Sequence, residues 1–313
     1  MSLATSGLHH ITAIASDLGR NADFYTRVLG LSLVKRTVNF EARDVYHLYY
    51  GDAAGHPGTI VTFFVRRNGP TGRIGDRQAT RIRFGVPPAS LAWWQRRLVD
   101  SEVDASDEPV WCGAPALSFA DPDGLPLQLV GVSDPVADRS AGAARSPHEI
   151  RGLHSVELLV PDPDATVALF TDLLGFSEAL ARRPWRRLIA AGSGPGVFVD
   201  VRAAAGMSSG AMGAGCIHHV AVRAQTDHDQ IVWQDRLRRS GLDVTDIKDR
   251  SYFRSIYFHE PNGIRCEIAT DAPGFAIDES PEELGRRLQL PSSLEPARQT
   301  LEAGLAGLLP SPT

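Results

Sequence analysis

The chain repeats itself, and this repetition constrains its fold more than any other feature of the sequence. The stretch GLHHITAIASDLGRNADFYTRVLGLSL, which begins at Gly7, aligns without a gap with GLHSVELLVPDPDATVALFTDLLGFSE, which begins at Gly152. The copies differ at one chemically important position, because His10 of the first aligns with Ser155 of the second. Self-similarity over such a length indicates an architecture of repeated units. The lost imidazole indicates that the copies have diverged in function.

A further duplication doubles the number of units. WQRRLVDSEVD is similar to the later WQDRLRRSGLD, and FADPDGLPLQL is similar to the later FHEPNGIRCEI. In the latter comparison Gln128 aligns with Glu267. The chain of 313 residues therefore divides into four units, which begin near Gly7, Ala79, Gly152 and Cys216.

Each unit has the pattern of a strand, a helix and three further strands. The first unit opens with a short apolar strand at residues 11–15. In the following DLGRNADFYTRVLG, Ala22, Tyr25 and Val28 recur at helical spacing, and Gly30 is a natural helix terminator. Turn sequences such as DPDG and EPNG separate the later strands. The predicted class is therefore α+β, with four βαβββ modules.

The predicted domain boundaries follow from the repeats and from composition. A stretch rich in Ala, Ser and Pro separates the two halves and is typical of a linker. The boundaries are 7–132 for modules 1 and 2, 133–150 for the linker, 151–271 for modules 3 and 4, and 272–313 for a C-terminal helical tail. In the tail, SPEELGRRLQL predicts a helix with Ser280 as N-cap and Pro281 in its first turn.

Composition narrows the class of partner. The sequence has no apolar run of about 18 residues, which argues against a membrane span, and MSLATSGLHH lacks the pattern of a secretion signal. Three cysteines in no paired arrangement fit a reducing cytoplasm. A net charge of −5 argues against nucleic-acid binding. We therefore expect a cytoplasmic protein that acts on small molecules, and the sequence leaves open whether it is a homo-oligomer.

Two modules open with a doubled histidine, and one ends with an acid in an apolar strand. The pairs are His9–His10 and His218–His219, and the acid is Glu267 in GIRCEIAT. Neighbours on a strand point to opposite faces, so we expect one histidine of each pair on the inner face. A carboxylate in an apolar strand is costly unless it is paired or bound to a cation. The sequence therefore predicts that His10, His219 and Glu267 form a 2-His-1-carboxylate triad, which typically holds Fe(II).

These residues carry a family resemblance. GLHHITAIASDLGRNADFYTRVLGL, IHHVAV and EPNGIRCEIAT resemble the vicinal oxygen chelate superfamily, which includes glyoxalases, bleomycin resistance proteins and extradiol dioxygenases. The two HH pairs, the four modules and KDRSYFRSIYFHEPNGIRCEIAT resemble more narrowly the ring-cleaving dioxygenases that act on hydroquinones. The resemblance covers residues 7–271 and extends to the tail.

The resemblance implies roles for named residues. It implies that His10, His219 and Glu267 are iron ligands and that His9 and His218 orient the site or shuttle protons. A histidine with a pKa near neutrality would suit such proton transfer.

The resemblance also implies the substrates and the metal. Arg250 and Tyr257 stand where the hydroquinone enzymes keep an arginine and a tyrosine near the substrate. The implied substrates are a small aromatic diol and dioxygen. The implied metal is Fe(II), with Mn(II) as an alternative.

The superfamily's cups are built from two modules each, and the distribution of ligands predicts how the modules pair. Module 1 should close against module 4 around the metal. Modules 2 and 3 should form a second cup without metal, because Ser155, Gln128 and either Thr80 or Arg81 stand in the ligand positions. His154 would then be a structural residue. The predicted fold is thus two cup-shaped half-barrel domains.

Other functions use related features. An extradiol catechol dioxygenase would use the same triad. A glyoxalase-type lyase or isomerase would favour Ni or Zn and usually a second carboxylate ligand, and a non-catalytic binder of the bleomycin-resistance kind needs no triad. GSGPGV lacks the third glycine of a dinucleotide-binding motif, so no cofactor-binding residues are predicted. His47, His56, His148 and His228 have no partner pattern and receive no role.

Overall fold

The computed structural model describes residues 4–133 and 146–305 and contains two eight-stranded sheets. In chain order the strands are β1 (Leu8–Ala15), β2 (Ser32–Val38), β3 (Tyr46–Gly51), β4 (Ile60–Val65), β5 (Gln78–Val86), β6 (Ser106–Asp107), β7 (Ala116–Ala120), β8 (Pro126–Gly131), β9 (Leu153–Val160), β10 (Ser177–Arg182), β11 (Trp185–Ile189), β12 (Phe198–Ala203), β13 (Ile217–Ala224), β14 (Lys248–Asp249), β15 (Phe253–His259) and β16 (Arg265–Pro273).

Short helices connect the strands. They are α1 (Leu18–Asp23), α2 (Leu91–Asp100), α3 (Pro163–Ala168), α4 (Asp227–Arg239) and α5 (Arg298–Leu305). Two π turns, Phe24–Val28 and Leu169–Leu173, continue α1 and α3, and 3-10 turns lie at Pro88–Ser90, Phe275–Ile277, Pro281–Glu283 and Glu295–Ala297. No helix in the described part of the chain is both long and apolar enough to cross a membrane.

The modules pair as the sequence predicts. The first sheet has the order β14-β15-β16-β13-β1-β4-β3-β2, so module 1 joins module 4 through the antiparallel pair β1–β13. The second sheet has the order β10-β11-β12-β9-β5-β8-β7-β6, and the antiparallel pair β5–β9 joins modules 2 and 3. The α+β class and the two cups are therefore confirmed.

Local sequence explains where the first helix begins and ends. The Asp17 side chain accepts a hydrogen bond from the backbone N–H of Arg20 at 2.8 Å, which satisfies one free donor of the first turn of α1. At the other end Gly30 has a φ of +72°, which a residue with a side chain rarely adopts. The predicted helix is present, but its second half is a π turn that buries Phe24, Tyr25 and Val28.

Both central strand pairs carry β-bulges at equivalent places. In the first sheet the extra residue of β1 is His9 and the extra residue of β13 is His218. In the second sheet the extra residues are Thr80 on β5 and His154 on β9. A bulge interrupts the alternation of side chains and re-aims them. The expectation that each HH pair simply alternates across its strand is therefore wrong at these positions.

The C-terminal tail packs behind the first sheet. Lys35 on β2 is fully buried, and its Nζ donates to Asp278 at 2.6 Å and to Glu279 at 2.5 Å. The helix predicted to begin after Ser280 is only the 3-10 turn Pro281–Glu283, and the Ser280 side chain makes no capping hydrogen bond. Most of the predicted linker lies outside the described residues, so the domain boundaries stay predictions.

Candidate metal centre

The three predicted ligands come from three neighbouring strands at the middle of the first sheet. His10 lies on β1, His219 on the adjacent β13, and Glu267 on β16, which pairs in parallel with β13. All three side chains are buried, and their ligand atoms lie within 4.8 Å of one another. Across the described ranges, no other group of three His, Cys, Asp or Glu side chains meets in this way.

The donor atoms fit a divalent metal ion. Oε2 of Glu267 lies 2.9 Å from Nε2 of His219 and 3.5 Å from Nε2 of His10. Despite this proximity the buried Oε2 has no hydrogen bond of acceptable geometry, whereas Oε1 accepts one from the Ser255 hydroxyl at 2.5 Å. A buried carboxylate oxygen without a donor is costly unless something else satisfies it. Two imidazole nitrogens and this oxygen form the donor set of a facial triad.

Charge supports the same interpretation. Burial alone would raise the pKa of Glu267, but the neighbouring His10 and His219 outweigh it and hold the pKa well below its usual value. Burial lowers the pKa of His219. The carboxylate is therefore ionised at neutral pH, which is the form that binds a cation.

Each predicted ligand histidine contacts its neighbour in the HH pair. Nδ1 of His9 lies 2.9 Å from Nδ1 of His10, and Nδ1 of His218 lies 2.7 Å from Nδ1 of His219. The bulges at His9 and His218 make these contacts geometrically accessible. Both contacts leave the Nε2 atoms of His10 and His219 directed at Glu267.

The two neighbouring histidines are uncharged at neutral pH. Burial, followed by the charge of His219, lowers the pKa of His218 to about 3. Burial, followed by His10, holds the pKa of His9 well below its usual value. The expectation of a pKa near neutrality is therefore wrong for both rings, because burial outweighs the attraction of Glu267.

A cavity of about 240 Å³ opens beside the triad. This is smaller than the roughly 300–1,000 Å³ typical of sites for drug-sized ligands, and it suits a small molecule. Besides the triad, its walls are formed by Val38, Asn39, Phe40, Glu41, Ala42, His47, Tyr49, Phe64, Arg66, His218, Arg250, Phe253, Tyr257 and Arg265.

Arg250 and Tyr257, which the resemblance places near the substrate, lie together in this wall. Nε of Arg250 donates to the Tyr257 hydroxyl at 3.1 Å, and Nη2 of Arg250 donates to Oε1 of Glu41 at 3.1 Å. Lys248 donates to the same Glu41 oxygen at 2.9 Å. Burial and the charge of Glu267 raise the pKa of Tyr257, so its hydroxyl is a neutral donor. The bond from Arg250 uses a lone pair of the phenolic oxygen, so the hydroxyl can still act as a donor.

Sequence reasoning missed several residues of this cavity. Glu41 comes from the loop between β2 and β3, where no motif marks it. His47 and Tyr49 lie two residues apart on β3, in YHLYY, and both line the cavity. Their spacing places them on one face of a strand, but only the structure shows that this face is the inner one.

In the second cup, an arginine side chain lies at the place that corresponds to the triad of the first cup. The guanidinium of Arg83 donates to Gln128 at 2.6 Å, to Glu157 at 2.8 Å and to Asp200 at 3.1 Å. Ser155, which aligns with His10, donates to Asp200 at 2.9 Å. The Arg83 network is buried throughout and contains its own cation. His154 contacts Ser155, and burial lowers the pKa of His154 to about 3.

The paired cups of βαβββ modules define a class of α+β proteins, and the buried triad is a candidate metal site within that fold. The chain belongs to the Glyoxalase/Bleomycin resistance protein/Dioxygenase superfamily, whose family model matches residues 7–129 and 152–268. The resemblance seen in the sequence is therefore confirmed.

Full-length relatives place the chain more narrowly. It is 40% identical over 306 residues to MhqO of Bacillus subtilis (strain 168), which is provisionally named a ring-cleaving dioxygenase, and the match covers 97% of each chain. It is 31% identical over 303 residues to the chlorohydroquinone/hydroquinone 1,2-dioxygenase of Sphingobium indicum, with 94% of each covered. These relatives support a dioxygenase function.

A solved structure shows the same fold. The crystal structure of a protein from Bacillus subtilis subsp. subtilis str. 168, provisionally named a dioxygenase, matches with a TM-score of 0.91 and 40% sequence identity. The match covers 99% of this chain and 98% of the other. The two-cup architecture is thus shared over nearly the whole length.

Proposed function

We propose that the protein is a non-haem Fe(II) dioxygenase that opens the ring of hydroquinone-type aromatics, which carry two hydroxyls in para positions. The observation that carries this proposal is the meeting of His10, His219 and Glu267, with an unsatisfied carboxylate oxygen, beside a small aromatic-walled cavity. The substrate class is supported by the relative from Sphingobium indicum, whose name specifies hydroquinones.

The metal and the chain have separate tasks. Bound Fe(II) would supply open coordination positions and polarise a substrate hydroxyl. The chain's own residues hold and orient the ring. Phe64 and Phe253 line the cavity and offer apolar faces against which an aromatic ring can pack. Tyr257, held by Arg250, donates a hydrogen bond to a substrate oxygen, where it can also stabilise developing negative charge.

His9 and His218 act as orienting residues in this proposal. A histidine that binds metal through Nε2 keeps its proton on Nδ1 and donates it to an outer partner. Here the partners are the unprotonated Nδ1 atoms of His9 and His218, at 2.9 and 2.7 Å. A charged imidazole could not accept these bonds, and the low pKa of both rings keeps them neutral. The pKa values therefore favour orientation over proton transfer.

Substitution of His218 should separate the orienting role from an acid–base role. We expect His218→Ala to weaken metal binding by roughly 10–100-fold, because the Nδ1 acceptor for His219 is lost. His218→Asn is the matched control, since its amide oxygen can replace Nδ1, and it should bind metal within a few-fold of the wild type. Metal affinity and the pH dependence of turnover are measured for both. Normal metal affinity in His218→Asn with a lost pH dependence would instead assign proton transfer to His218.

Oxygen consumption tests the proposed reaction directly. Protein purified without air and loaded with Fe(II) should bind one ion per chain. It should consume one O2 per hydroquinone and yield a ring-opened product detectable by mass spectrometry. Catechol and methylglyoxal with glutathione are run in parallel, and Mn(II) replaces iron in a second series. Faster turnover of catechol would indicate an extradiol enzyme, and conversion of the glutathione adduct without oxygen uptake would indicate a glyoxalase.

A further inference from the structure

The first cup has an internal two-fold relation between module 1 and module 4. Across β1 and β13, Thr12 pairs with His219, and His10 pairs with Ala221. The two-fold rotation that relates these two pairs places His10 on His219. It therefore also places β4, the parallel neighbour of β1, on β16, the parallel neighbour of β13. Thr62 on β4, the partner of Thr12, occupies the place that Glu267 has on β16.

The same relation pairs two tyrosines of the cavity wall. Tyr257 on β15 lies opposite Glu267, and Tyr49 on β3 lies opposite Thr62. Both line the cavity, and both are buried. The contacts two residues earlier on each strand also correspond, since Ser255 binds Glu267 and His47 binds Thr62. Tyr49 is therefore the counterpart of Tyr257 on the opposite arm of the cup.

Tyr49 is held by a chain of hydrogen bonds along the cup. Its hydroxyl lies 2.9 Å from Nδ1 of His47, whose Nε2 lies 2.9 Å from Oγ1 of Thr62. Thr62 in turn lies 2.8 Å from Oγ1 of Thr12. Phe275 and Phe253 pack edge-on against the Tyr49 ring. Its side chain is thus fixed both at the ring and at the hydroxyl.

One direction of this chain leaves a donor for a ligand. The three distances allow the series to run either way. In the direction that begins at Thr12, Thr12 donates to Thr62, Thr62 donates to Nε2 of His47, and the Nδ1–H of His47 donates to the Tyr49 oxygen. In that direction the contacts of the described residues give the Tyr49 O–H no acceptor, and a ligand in the cavity that Tyr49 lines can accept from it. Burial, followed by the nearby Tyr257, raises the pKa of Tyr49, so this hydroxyl keeps its proton.

We propose that Tyr49, positioned by His47, donates a hydrogen bond to the second hydroxyl of a para-dihydroxy ring and is a specificity-determining residue of the site. This inference rests on the proposed function for the identity of the ligand. The two tyrosines approach the cavity from opposite arms, so a ring oxygen remote from the metal can meet both donors. A phenol without that second oxygen would leave the Tyr49 donor without an acceptor.

Equilibrium binding without oxygen tests this inference. Metal-loaded protein is titrated with hydroquinone and with phenol in the absence of air, and the ratio of the two Kd values is the readout. Wild type should prefer hydroquinone by roughly tenfold or more. Tyr49→Phe should reduce this preference by roughly three- to tenfold, the usual effect of one lost hydrogen bond, and leave the Kd for phenol unchanged. His47→Phe should reduce the preference in the same direction.

Tyr50→Phe is the matched control. Tyr50 neighbours Tyr49 on β3, but its hydroxyl donates to Asn21 at 2.9 Å and it does not line the cavity. This variant should keep the wild-type preference. An unchanged preference in Tyr49→Phe, or no preference in wild type, would overturn the inference. Absence of oxygen uptake by wild type, with the binding preference intact, would overturn the proposed reaction and leave the role of Tyr49 standing.

Discussion

Glu267→Gln is expected to lose divalent-metal binding by a hundredfold or more and oxygen uptake with it. Loss of an outer hydrogen-bond partner alone costs roughly 10–100-fold in affinity, and this substitution removes the charge of a proposed ligand. The amide keeps the size of the side chain, so the first sheet should remain folded. Metal content after dialysis at fixed free Fe(II), measured by elemental analysis, gives the affinity directly.

The duplicated chain provides the control for this variant. Gln128 stands at the equivalent place in the second cup, where its Oε1 accepts from Arg83. Gln128→Ala should therefore keep one metal per chain and normal oxygen uptake, although it loses a buried hydrogen bond. Wild-type metal affinity in Glu267→Gln would contradict the assignment of the triad. Loss of metal in Gln128→Ala would indicate that the ion binds in the second cup instead of the first.

Arg83→Met is expected to give the largest loss of stability. Arg83 is 2% exposed, and it neutralises Glu157 and Asp200, which are also buried. Without Arg83, Glu157 keeps Arg202 and Asp200 keeps Arg187, but each buried carboxylate loses one charged donor. A buried hydrogen bond to a charged group typically contributes about 1.5–3 kcal/mol. Urea denaturation of the full chain should show a correspondingly lower midpoint. The folded fraction should still bind one metal ion, because the triad belongs to the other cup.

Arg81→Ala is the control on the same strand. Arg81 pairs with Glu108 at 3.1 Å near the surface, and such pairs contribute about 0–1 kcal/mol. A midpoint for Arg83→Met equal to that of Arg81→Ala would contradict a structural role for the Arg83 network.

The stability of the wild type at acid pH should also depend on the Arg83 network. Burial would raise the pKa of Asp200, but the bonds and charge of Arg187 and the charge of Arg83 lower it overall. A depressed carboxyl pKa stabilises the fold above the unfolded value of about 3.9 and ceases to do so as pH falls through the folded value. Stability should therefore decline below about pH 4, and less steeply in Arg83→Met.

The internal repeats of the sequence were sufficient to predict the modules and the way in which they pair. Aligned copies identified His10, His219 and Glu267 as residues that differ from their counterparts, and this difference also predicted which modules pair. The strand pairing confirms that module arrangement. A repeated sequence permits such inferences, because residues shared by all copies are those that the fold requires. Residues that differ between copies are then candidates for a functional role.

Features that depend on backbone register could not be predicted in this way. The bulges at His9 and His218 are invisible in a sequence that simply alternates, yet they bring neighbouring imidazoles into contact. Arg83 gathers partners from β8, β9 and β12, which are distant in sequence and carry no common motif. Likewise, only the two-fold relation within the first cup identifies His47 and Tyr49 as counterparts of Ser255 and Tyr257.

The nested pairing of the modules has a consequence for how the polypeptide is made. β5 and β9 belong to consecutive modules and can pair once the third has left the ribosome, whereas β1 must wait for β13 in the fourth. The second cup, which is formed by modules 2 and 3 and contains the Arg83 network, can thus assemble first. Its formation shortens the span that separates the outer modules and lowers the entropic cost of their union. The cup without the triad thereby brings together the two ends of the cup that contains His10, His219 and Glu267.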